Sequence, residues 1–279
     1  MDVIKAKKIG FCFGVKRSIN LAKESLKNKG SRPVFLLGSI VHNEEVVREI
    51  ESLGGKIITS LEEAEKGSLV ITKAHGVSPE TLNQAREKKM EIKDTTCPIV
   101  QVAQNKAKKL YEEGYQVIII GEKTHPEPRV IREHAGERAI ITEQEEEIKN
   151  LDLNSKIGVV AQTTKKRNRV EELIRAIRKR GVEVKWEDTI CNEVSDRQEE
   201  LREIMKETKG VVVVGSRTSA NTTRLAEIVK NGGQKLWWIN SVQELVPEET
   251  KKYKKVGVVS GTSTPDWEAE KVIKFLEKI

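Results

Sequence analysis

The sequence predicts an α/β fold built from three related units, and two observations carry this prediction. Short runs of four or five apolar residues, such as 117–120 and 211–214, alternate with stretches of helical periodicity. Uninterrupted apolar strands are typical of parallel sheets that are covered on both faces. In addition, Cys12, Cys97 and Cys191 have similar surroundings, since each follows a strand-like segment and precedes a helical pattern.

The similarity continues through the rest of each segment, which indicates an internal repeat. A strand that ends in glycine comes 24 to 26 residues after each cysteine, at Gly38, Gly121 and Gly215. An apolar pair with a capping-box pattern follows, and it predicts a strand that turns into a helix. A further strand with a polar loop, a helix, and the strand that leads to the next cysteine complete the unit.

The predicted domain boundaries follow the cysteines. We expect a first α/β unit at 13–97, a second at 98–190 and a third at 191–279. The third lacks its last strand, and the N-terminal strand within 1–12 is the expected replacement. The units would form a trefoil with mainly parallel sheets, related by a pseudo-threefold axis around a central cavity. Ligands bind at the carboxyl ends of parallel strands, so the cysteines and polar loops should face this cavity.

The composition limits the classes of function. The chain has 279 residues, of which 37% are hydrophobic, and 50 basic against 43 acidic residues give a net charge of +7. Charges of both signs are mixed along the helical patterns and only 4% of residues are aromatic, so we expect no nucleic-acid partner. No long apolar segment or signal peptide is visible, so we expect a cytoplasmic protein without a membrane partner.

Three widely spaced cysteines do not indicate a disulfide framework. A lone cysteine of this kind is most often a small buried hydrophobic residue. The equivalent positions of the three in the repeat favour a shared site instead, and a helix N-terminus behind each thiol favours the thiolate. Structural zinc usually has four ligands, whereas three thiolates suit a cubane iron–sulfur cluster with one open iron.

Polar side chains occupy the six expected loop tips. Histidines stand at three of them, as His42, His75 and His125. The other three tips carry mainly hydroxyl and amide groups, from Thr163 and Thr164, from Ser219, Ala220 and Asn221, and from the segment around Ser263. Together with the backbone N–H groups of helix N-termini, these groups predict a cradle for a phosphate or diphosphate.

Glu127, next to His125, is the one carboxylate among these tips. In a closed pocket its pKa would rise, which would suit it to proton donation. The alternative is a solvated glutamate in a turn between Pro126 and Pro128.

Nine short motifs, taken together and in order, resemble the family of 4-hydroxy-3-methylbut-2-enyl diphosphate reductases over essentially the whole chain. The motifs are Gly10-Phe11-Cys12-x-Gly14-Val15, Val41-His42-Asn43, Ala74-His75-Gly76-Val77, Thr96-Cys97-Pro98, His125-Pro126-Glu127, Gln162-Thr163-Thr164, Asp188-Thr189-Ile190-Cys191, Ser219-x-Asn221 and Ser263-x-Pro265-Asp266.

The resemblance implies roles for these residues. Cys12, Cys97 and Cys191 would hold one 4Fe–4S cluster per chain, and Glu127 would relay protons. The substrate-binding set would be His42, His75, Ser219, Asn221 and Ser263 around the diphosphate, His125 and Thr163 along the pocket, and their neighbours Thr164 and Ala220. The chain departs from the family pattern at Ala220, where a serine often stands, and at 128–133, where valine and nearby glycines are usual.

The implied reaction is the reductive dehydroxylation of 4-hydroxy-3-methylbut-2-enyl diphosphate, a small-molecule allylic diphosphate, to isopentenyl and dimethylallyl diphosphate. This is the last step of the non-mevalonate isoprenoid pathway. The open iron would act as a Lewis acid, and a ferredoxin or flavodoxin would supply electrons one at a time. Two alternatives stay open: an iron–sulfur dehydratase without net electron transfer, and a non-catalytic metal-binding module.

Overall fold

The computed structural model describes residues 1–41 and 43–279. Its strands are β1 (Asp2–Lys5), β2 (Val34–Leu37), β3 (Gly55–Ile58), β4 (Leu69–Ile71), β5 (Glu91–Lys93), β6 (Gln116–Ile120), β7 (Ile140–Thr142), β8 (Lys156–Ala161), β9 (Glu183–Trp186), β10 (Gly210–Val214), β11 (Lys235–Ile239) and β12 (Lys255–Ser260). Its α-helices are α1 (Phe13–Lys27), α2 (Glu44–Ser52), α3 (Pro79–Glu87), α4 (Pro98–Glu112), α5 (Pro126–His134), α6 (Glu145–Lys149), α7 (Arg167–Arg178), α8 (Asn192–Glu207), α9 (Ala220–Asn231), α10 (Pro247–Thr250) and α11 (Asp266–Lys278). Helices thus alternate with strands along the described chain.

The strands form three four-stranded sheets, and their pairings are parallel. The strand orders are β3-β2-β4-β5, β7-β6-β8-β9 and β11-β10-β12-β1. The same order recurs in each sheet, with the strand that precedes a cysteine always at one edge. This confirms the predicted α/β class with three parallel sheets.

The described chain packs into two compact units. The larger consists of Arg17–Ile40 and Arg48–Cys191 and contains the first two of these sheets. The smaller consists of Met1–Lys16, Val41–Val47 and Asn192–Ile279 and contains the third sheet.

The N-terminal strand belongs to the sheet of the smaller unit. β1 pairs in parallel with β12, with Val3 opposite Val256. It therefore has the position in this sheet that β5 and β9 have in the other two. The division of the chain at residues 97 and 190 into three units stays a prediction.

Central strands are apolar throughout because both faces of each sheet are covered. In β10, Val212 and Val214 pack with Val272 of α11, whereas Val211 and Val213 face the opposite side of the sheet, where the α9 residues lie. The same alternation holds in the larger unit, where Ile118 and Ile120 pack with α7 and Val117 and Ile119 pack with α4 and α5. Polar groups are therefore confined to the strand ends, where the loops begin.

In the described part of the chain, no helix combines the length and the apolar character needed to cross a bilayer.

We expect the replacement Ile118→Ala to lower the free energy of unfolding by about 2 to 5 kcal/mol, because the Ile118 side chain is fully buried and the surrounding sheet and helices cannot close the cavity. Val102→Ala is the control, since the Val102 side chain is 47% exposed on α4. Urea unfolding measures both. Equal losses for the two variants would contradict the placement of β6 in the core.

Candidate active site

Each cysteine lies between a strand and the helix that follows it, as the sequence predicts. Cys12 follows β1, Cys97 follows β5 and Cys191 follows β9. In each case the cysteine N–H donates to a carbonyl in the loop after the neighbouring strand, namely Thr262 O at 3.0 Å from Cys12 N, Ala74 O at 2.9 Å from Cys97 N, and Thr163 O at 2.8 Å from Cys191 N. The three cysteines are therefore structurally equivalent.

The thiols fit the donor set of an iron–sulfur cluster. All three side chains are partly exposed and none is in a disulfide. Cys97 is the N-cap of α4, with Pro98 as the first helical residue, and a helix N-terminus stabilises negative charge. Among residues 1–41 and 43–279, no group of three or more His, Cys, Asp or Glu side chains is arranged to hold a metal ion. Three equivalent thiols are the number of protein ligands that a cluster with one open iron takes, so the fit is one of donor number and donor type.

The backbone before Cys12 is held tightly within the smaller unit. Gly10 N–H donates to Ser260 Oγ at 2.7 Å, and Phe11 N–H donates to Asp266 Oδ1 at 2.8 Å. Gly10 has a φ of +81°, and a Cβ added to it would lie 1.8 Å from Asp266 Oδ1. Glycine is therefore required at this position both by the backbone conformation and by the close approach.

Three predicted substrate-binding residues meet in the smaller unit. Ser219 is the N-cap of α9, and Ser263 donates to Ser219 Oγ at 3.1 Å. Asn221, in the first turn of α9, is 3% exposed, and neither its amide nitrogen nor its amide oxygen has a partner among the described residues. A buried amide without hydrogen bonds is costly, so this position calls for a polar ligand or water. The N-terminus of α9 adds backbone N–H groups that favour an anion.

The loops that carry these residues approach each other closely. A Cβ on Gly261, after β12, would lie 1.9 Å from Thr222 Oγ1 on α9. Gly215, after β10, has a φ of +136°, and a Cβ there would lie 2.4 Å from Thr264 Oγ1. The two glycines allow the ends of β10 and β12 to bring Ser219 and Ser263 together.

In the larger unit, two of the predicted histidines are in contact. The rings of His75 and His125 meet edge to face, with their centroids 5.3 Å apart. His125 is also the N-cap of α5, where its Nδ1 accepts a hydrogen bond from Glu127 N–H at 3.2 Å. Because Nδ1 is an acceptor, the neutral ring carries its proton on Nε2.

Glu127 lies in the first turn of α5 and not in a loop. Pro126 and Pro128 are both tolerated there because the N–H groups of a first turn have no partner within the helix. The Glu127 carboxyl is 2% exposed, so the alternative of a solvated glutamate is wrong. Thr163 N–H donates to Glu127 Oε1 at 2.6 Å, and Thr163 Oγ1 donates to Oε2 at 3.0 Å. Burial raises the pKa of Glu127 to about 7, although the two hydrogen bonds from Thr163 lower it.

Two further predicted residues, Thr164 and Ala220, lie in the described part of the chain. Thr164 is half-buried, and its Oγ1 accepts a hydrogen bond from Gln162 Nε2 at 3.1 Å. Ala220 is the first residue of α9, and its methyl group contributes no hydrogen bond. His42 lies outside the described residues. The larger unit thus brings together His75, His125, Glu127 and Thr163, and the smaller unit brings together Ser219, Asn221 and Ser263.

A cavity of about 420 Å³ lies beside the histidine pair in the larger unit. The cavity is lined by Gly76 and Pro126, which directly follow the two histidines in the sequence. Lys73 and Arg129 also contribute to its wall. Burial lowers the pKa of Lys73, whose charge is attracted by Glu133. Within the described chain, the predicted catalytic and diphosphate-binding side chains are not part of its wall, so this cavity is not the predicted cradle.

Neither Arg197 nor Asp266 has a role that the sequence predicts. Arg197 is 4% exposed and donates to Gly10 O at 2.9 Å and to Ser260 O at 3.0 Å. The burial of Arg197 could have been predicted from helical spacing, because Arg197 lies three residues after Val194 and four before Leu201, which are both on the buried face of α8. Asp266 stands in one of the nine motifs, but its bond to Phe11 N–H could not be read from the sequence.

The three parallel sheets have one topology, and in each of them a cysteine lies between an edge strand and a helix. These features define a class of α/β protein with a repeated strand–cysteine–helix unit. Comparisons with known proteins identify the class more closely. The family model described as LytB protein matches residues 3–277. The chain belongs to the LytB protein family.

Curated relatives carry a common name. The chain is 36% identical over 279 residues to the 4-hydroxy-3-methylbut-2-enyl diphosphate reductase of Geobacter metallireducens, covering 100% of this chain and 98% of that protein. It is 40% identical over 272 residues to the protein of the same name from Clostridium tetani, covering 96% of this chain but only 42% of the relative's length.

Solved structures agree in fold over nearly the whole chain. The E-1-hydroxy-2-methyl-but-2-enyl-4-diphosphate reductase from Plasmodium falciparum matches with a TM-score of 0.90 and 28% identity, covering 98% of this chain and 87% of that one. An (E)-4-hydroxy-3-methyl-but-2-enyl diphosphate reductase, described as the terminal enzyme of the non-mevalonate pathway, matches with a TM-score of 0.78 and 36% identity, covering 100% and 99%.

We expect Gly261→Ala to lower the free energy of unfolding by about 1 to 3 kcal/mol, because its Cβ would overlap Thr222 Oγ1 and force the two loops apart. Gly261 does not have a positive φ, so the overlap alone is responsible. In the Thr222→Ala background, where the hydroxyl is absent, the same substitution should cost much less. Thermal unfolding of the four proteins tests this, and equal costs in both backgrounds would contradict the contact.

The raised pKa of Glu127 also predicts a pH-dependent stability. The folded state holds the proton up to about pH 7, whereas an ordinary glutamate releases it near 4.5. Relative to Glu127→Gln, the wild type should therefore be most stable below about pH 4.5 and lose on the order of 3 kcal/mol as the pH rises through 7. Urea unfolding of both proteins between pH 4.5 and 8.5 measures the difference. Glu133→Gln, on the exposed side of the same helix, should track the wild type, and a constant difference for Glu127→Gln would argue against a buried proton.

Proposed function

We propose that the chain is a 4-hydroxy-3-methylbut-2-enyl diphosphate reductase that forms isopentenyl and dimethylallyl diphosphate with a 4Fe–4S cluster. Membership in the LytB protein family and the common name of the curated relatives support the reaction. The observation that carries the proposal within this chain is the buried carboxyl of Glu127, since a proton donor with a pKa near neutrality is what removal of a hydroxyl group as water requires.

Cys12, Cys97 and Cys191 would hold the cluster, because their backbone positions are equivalent and none is in a disulfide. A cluster with three thiolate ligands supplies single electrons and an open iron that acts as a Lewis acid toward an oxygen ligand.

The diphosphate group of the substrate would bind at the N-terminus of α9. Ser219 and Ser263 offer hydroxyl groups there, and the buried amide of Asn221 has no partner within residues 1–41 and 43–279. Hydroxyl, amide and backbone N–H donors are suited to a diphosphate. His42 and His75 belong to the same proposed set of substrate-binding residues, as do Thr164 and Ala220. The methyl group of Ala220 leaves more of the binding to Ser219, Asn221 and Ser263.

Glu127 would donate the proton with which the substrate hydroxyl leaves as water. Thr163 holds both carboxyl oxygens, so the donor has a fixed orientation. When Glu127 is protonated, its O–H can donate to Thr163 Oγ1, because the threonine hydroxyl can rotate and serve as an acceptor. His125 caps the same helical turn and lies beside the donor. The balance of the reaction is one substrate, two electrons and two protons in, and one product and one water out.

The electrons would come from a one-electron donor such as a ferredoxin or flavodoxin in the cytoplasm. The net charge of +7 supports an acidic partner, since complementary charge accelerates association. Cysteines without disulfides support a reducing compartment.

Anaerobic purification followed by iron and sulfide analysis tests the cofactor. We expect a brown protein with iron and acid-labile sulfide in equal amounts that converts the hydroxylated diphosphate only when a strong one-electron reductant is present. A colourless zinc protein without turnover would refute the proposal, and turnover without reductant would indicate a dehydratase.

Glu127→Gln should retain iron and sulfide but lose turnover by about 10²- to 10⁴-fold, the usual effect of removing a general acid. Glu133→Gln, on the same helix, should retain both. Wild-type turnover should decline as the pH rises above about 7, because Glu127 then loses its proton. A variant Glu127→Gln with full turnover would remove Glu127 from the mechanism.

A further inference from the structure

A basic side chain from the helix after Cys12 binds the backbone next to another cysteine. Arg17, in the second turn of α1, donates from Nη1 to Thr96 O at 3.1 Å. Thr96 directly precedes Cys97 in the chain. Ser18, the next residue of α1, donates to Thr95 O, so two adjacent carbonyls before Cys97 are bound by the same helix.

The helix after Cys97 makes the corresponding contact with the loop of Cys191. Lys106 of α4 donates from Nζ to Asp188 O at 3.0 Å, three residues before Cys191. Its ammonium group also pairs with Glu187 Oε2 at 3.2 Å. The side chain is partly buried, so the ammonium group is held between the helix and the loop.

The helix after Cys191 makes the third contact. Arg197 of α8 donates from Nη2 to Gly10 O at 2.9 Å, two residues before Cys12. Its Nη1 donates to Ser260 O at 3.0 Å, and Glu193 neutralises its charge at 3.1 Å. Arg197 is buried, with 4% of its surface exposed, whereas Arg17 and Lys106 are partly exposed.

These contacts follow one rule although the residues do not follow one spacing. The helix after Cys12 holds the Cys97 loop, the helix after Cys97 holds the Cys191 loop, and the helix after Cys191 holds the Cys12 loop. The cations stand five, nine and six residues after their own cysteines. Since no shared sequence motif produces the pattern, the recurrence of the contact indicates that it meets a need of each cysteine loop.

The chemistry of the contact suggests what that need is. A hydrogen bond from a charged donor is about twice as strong as one between neutral groups, so it holds a peptide plane more firmly. The carbonyls concerned lie in irregular backbone, where no sheet partner restrains them.

We propose that Arg17, Lys106 and Arg197 are positioning residues, each of which fixes the backbone that leads into one cysteine and so keeps the three thiols ready to ligate a cluster. The connection with a cluster rests on the function proposed above, whereas the restraint of the loops does not depend on it.

Hydrogen exchange of the full-length, anaerobically purified chain tests the restraint directly. Lys106→Met should accelerate exchange in the peptide that contains Cys191 by about tenfold, the effect of losing one charged hydrogen bond, and leave the Cys97 and Cys12 peptides unchanged. Arg17→Met should act on the Cys97 peptide alone. The reporter amides are Cys191 N–H and Cys97 N–H, which are both hydrogen-bonded in the folded chain.

Two controls separate positioning from general destabilisation. Lys108→Met removes a more exposed lysine of the same helix, which pairs with Glu112 in the next turn, and should change none of the three peptides. Lys106→Arg keeps a charged donor and should exchange like the wild type. Arg197→Lys is preferred to a neutral substitution, because it keeps a buried positive charge beside the Glu193 carboxylate, which also pairs with the more exposed Lys8. The faster exchange in this variant should be confined to the Cys12 peptide.

Iron release to a chelator provides the second readout. Lys106→Met and Arg17→Met should lose reconstituted iron several-fold faster than Lys108→Met. Unchanged exchange in the Cys191 and Cys97 peptides, or acceleration spread evenly over the chain, would overturn the proposal. A wild type that takes up no iron would refute the proposed function, while the exchange pattern would still decide whether the three cations position the loops.

Discussion

Parallel pairing between the strand before each cysteine and its neighbour is the interaction on which the rest of the structure depends. In β4 and β5, Ile71 lies opposite Lys93, so both strands end at the same edge of the sheet. The loops that leave this edge run side by side, and Cys97 N–H therefore reaches Ala74 O in the neighbouring loop. An antiparallel partner would place that loop at the opposite edge. The repeated cysteine position is thus a consequence of strand direction.

The corresponding edge of the β8–β9 sheet connects the Cys191 loop with the buried carboxyl of Glu127. The carbonyl of Thr163 accepts from Cys191 N–H, while the N–H and hydroxyl of Thr163 bind Glu127. Thr163 therefore binds both the backbone of Cys191 and the buried carboxyl of Glu127. Because Glu127 lies at the start of a helix and Thr163 follows a strand, a shift of either element would disturb both groups. This arrangement explains how a carboxyl can stay buried in a defined orientation at a cost in stability above neutral pH.

Much of the fold was predictable because its signals are local. Continuous apolar runs indicated strands covered on both faces, and the structure buries the entire β10 and almost all of β6. The segment at 126–134 was less well predicted, since two prolines suggested a turn, whereas both fit into the first turn of α5. A first turn tolerates proline for a reason that composition cannot reveal: its N–H groups have no helical partner in any case.

The sequence alone determined the alternation of strands and helices, the position of each cysteine between them, and the polar character of the strand ends, because these features depend on neighbours a few residues apart. Tertiary structure decided which polar groups are satisfied. Glu127 is buried against a threonine 36 positions away, the amide of Asn221 has no partner in the part of the chain that the structure describes, and Arg197 donates to Gly10 O, 187 positions away. Burial and long-range hydrogen bonds arise only when distant segments pack, so no local pattern encodes them.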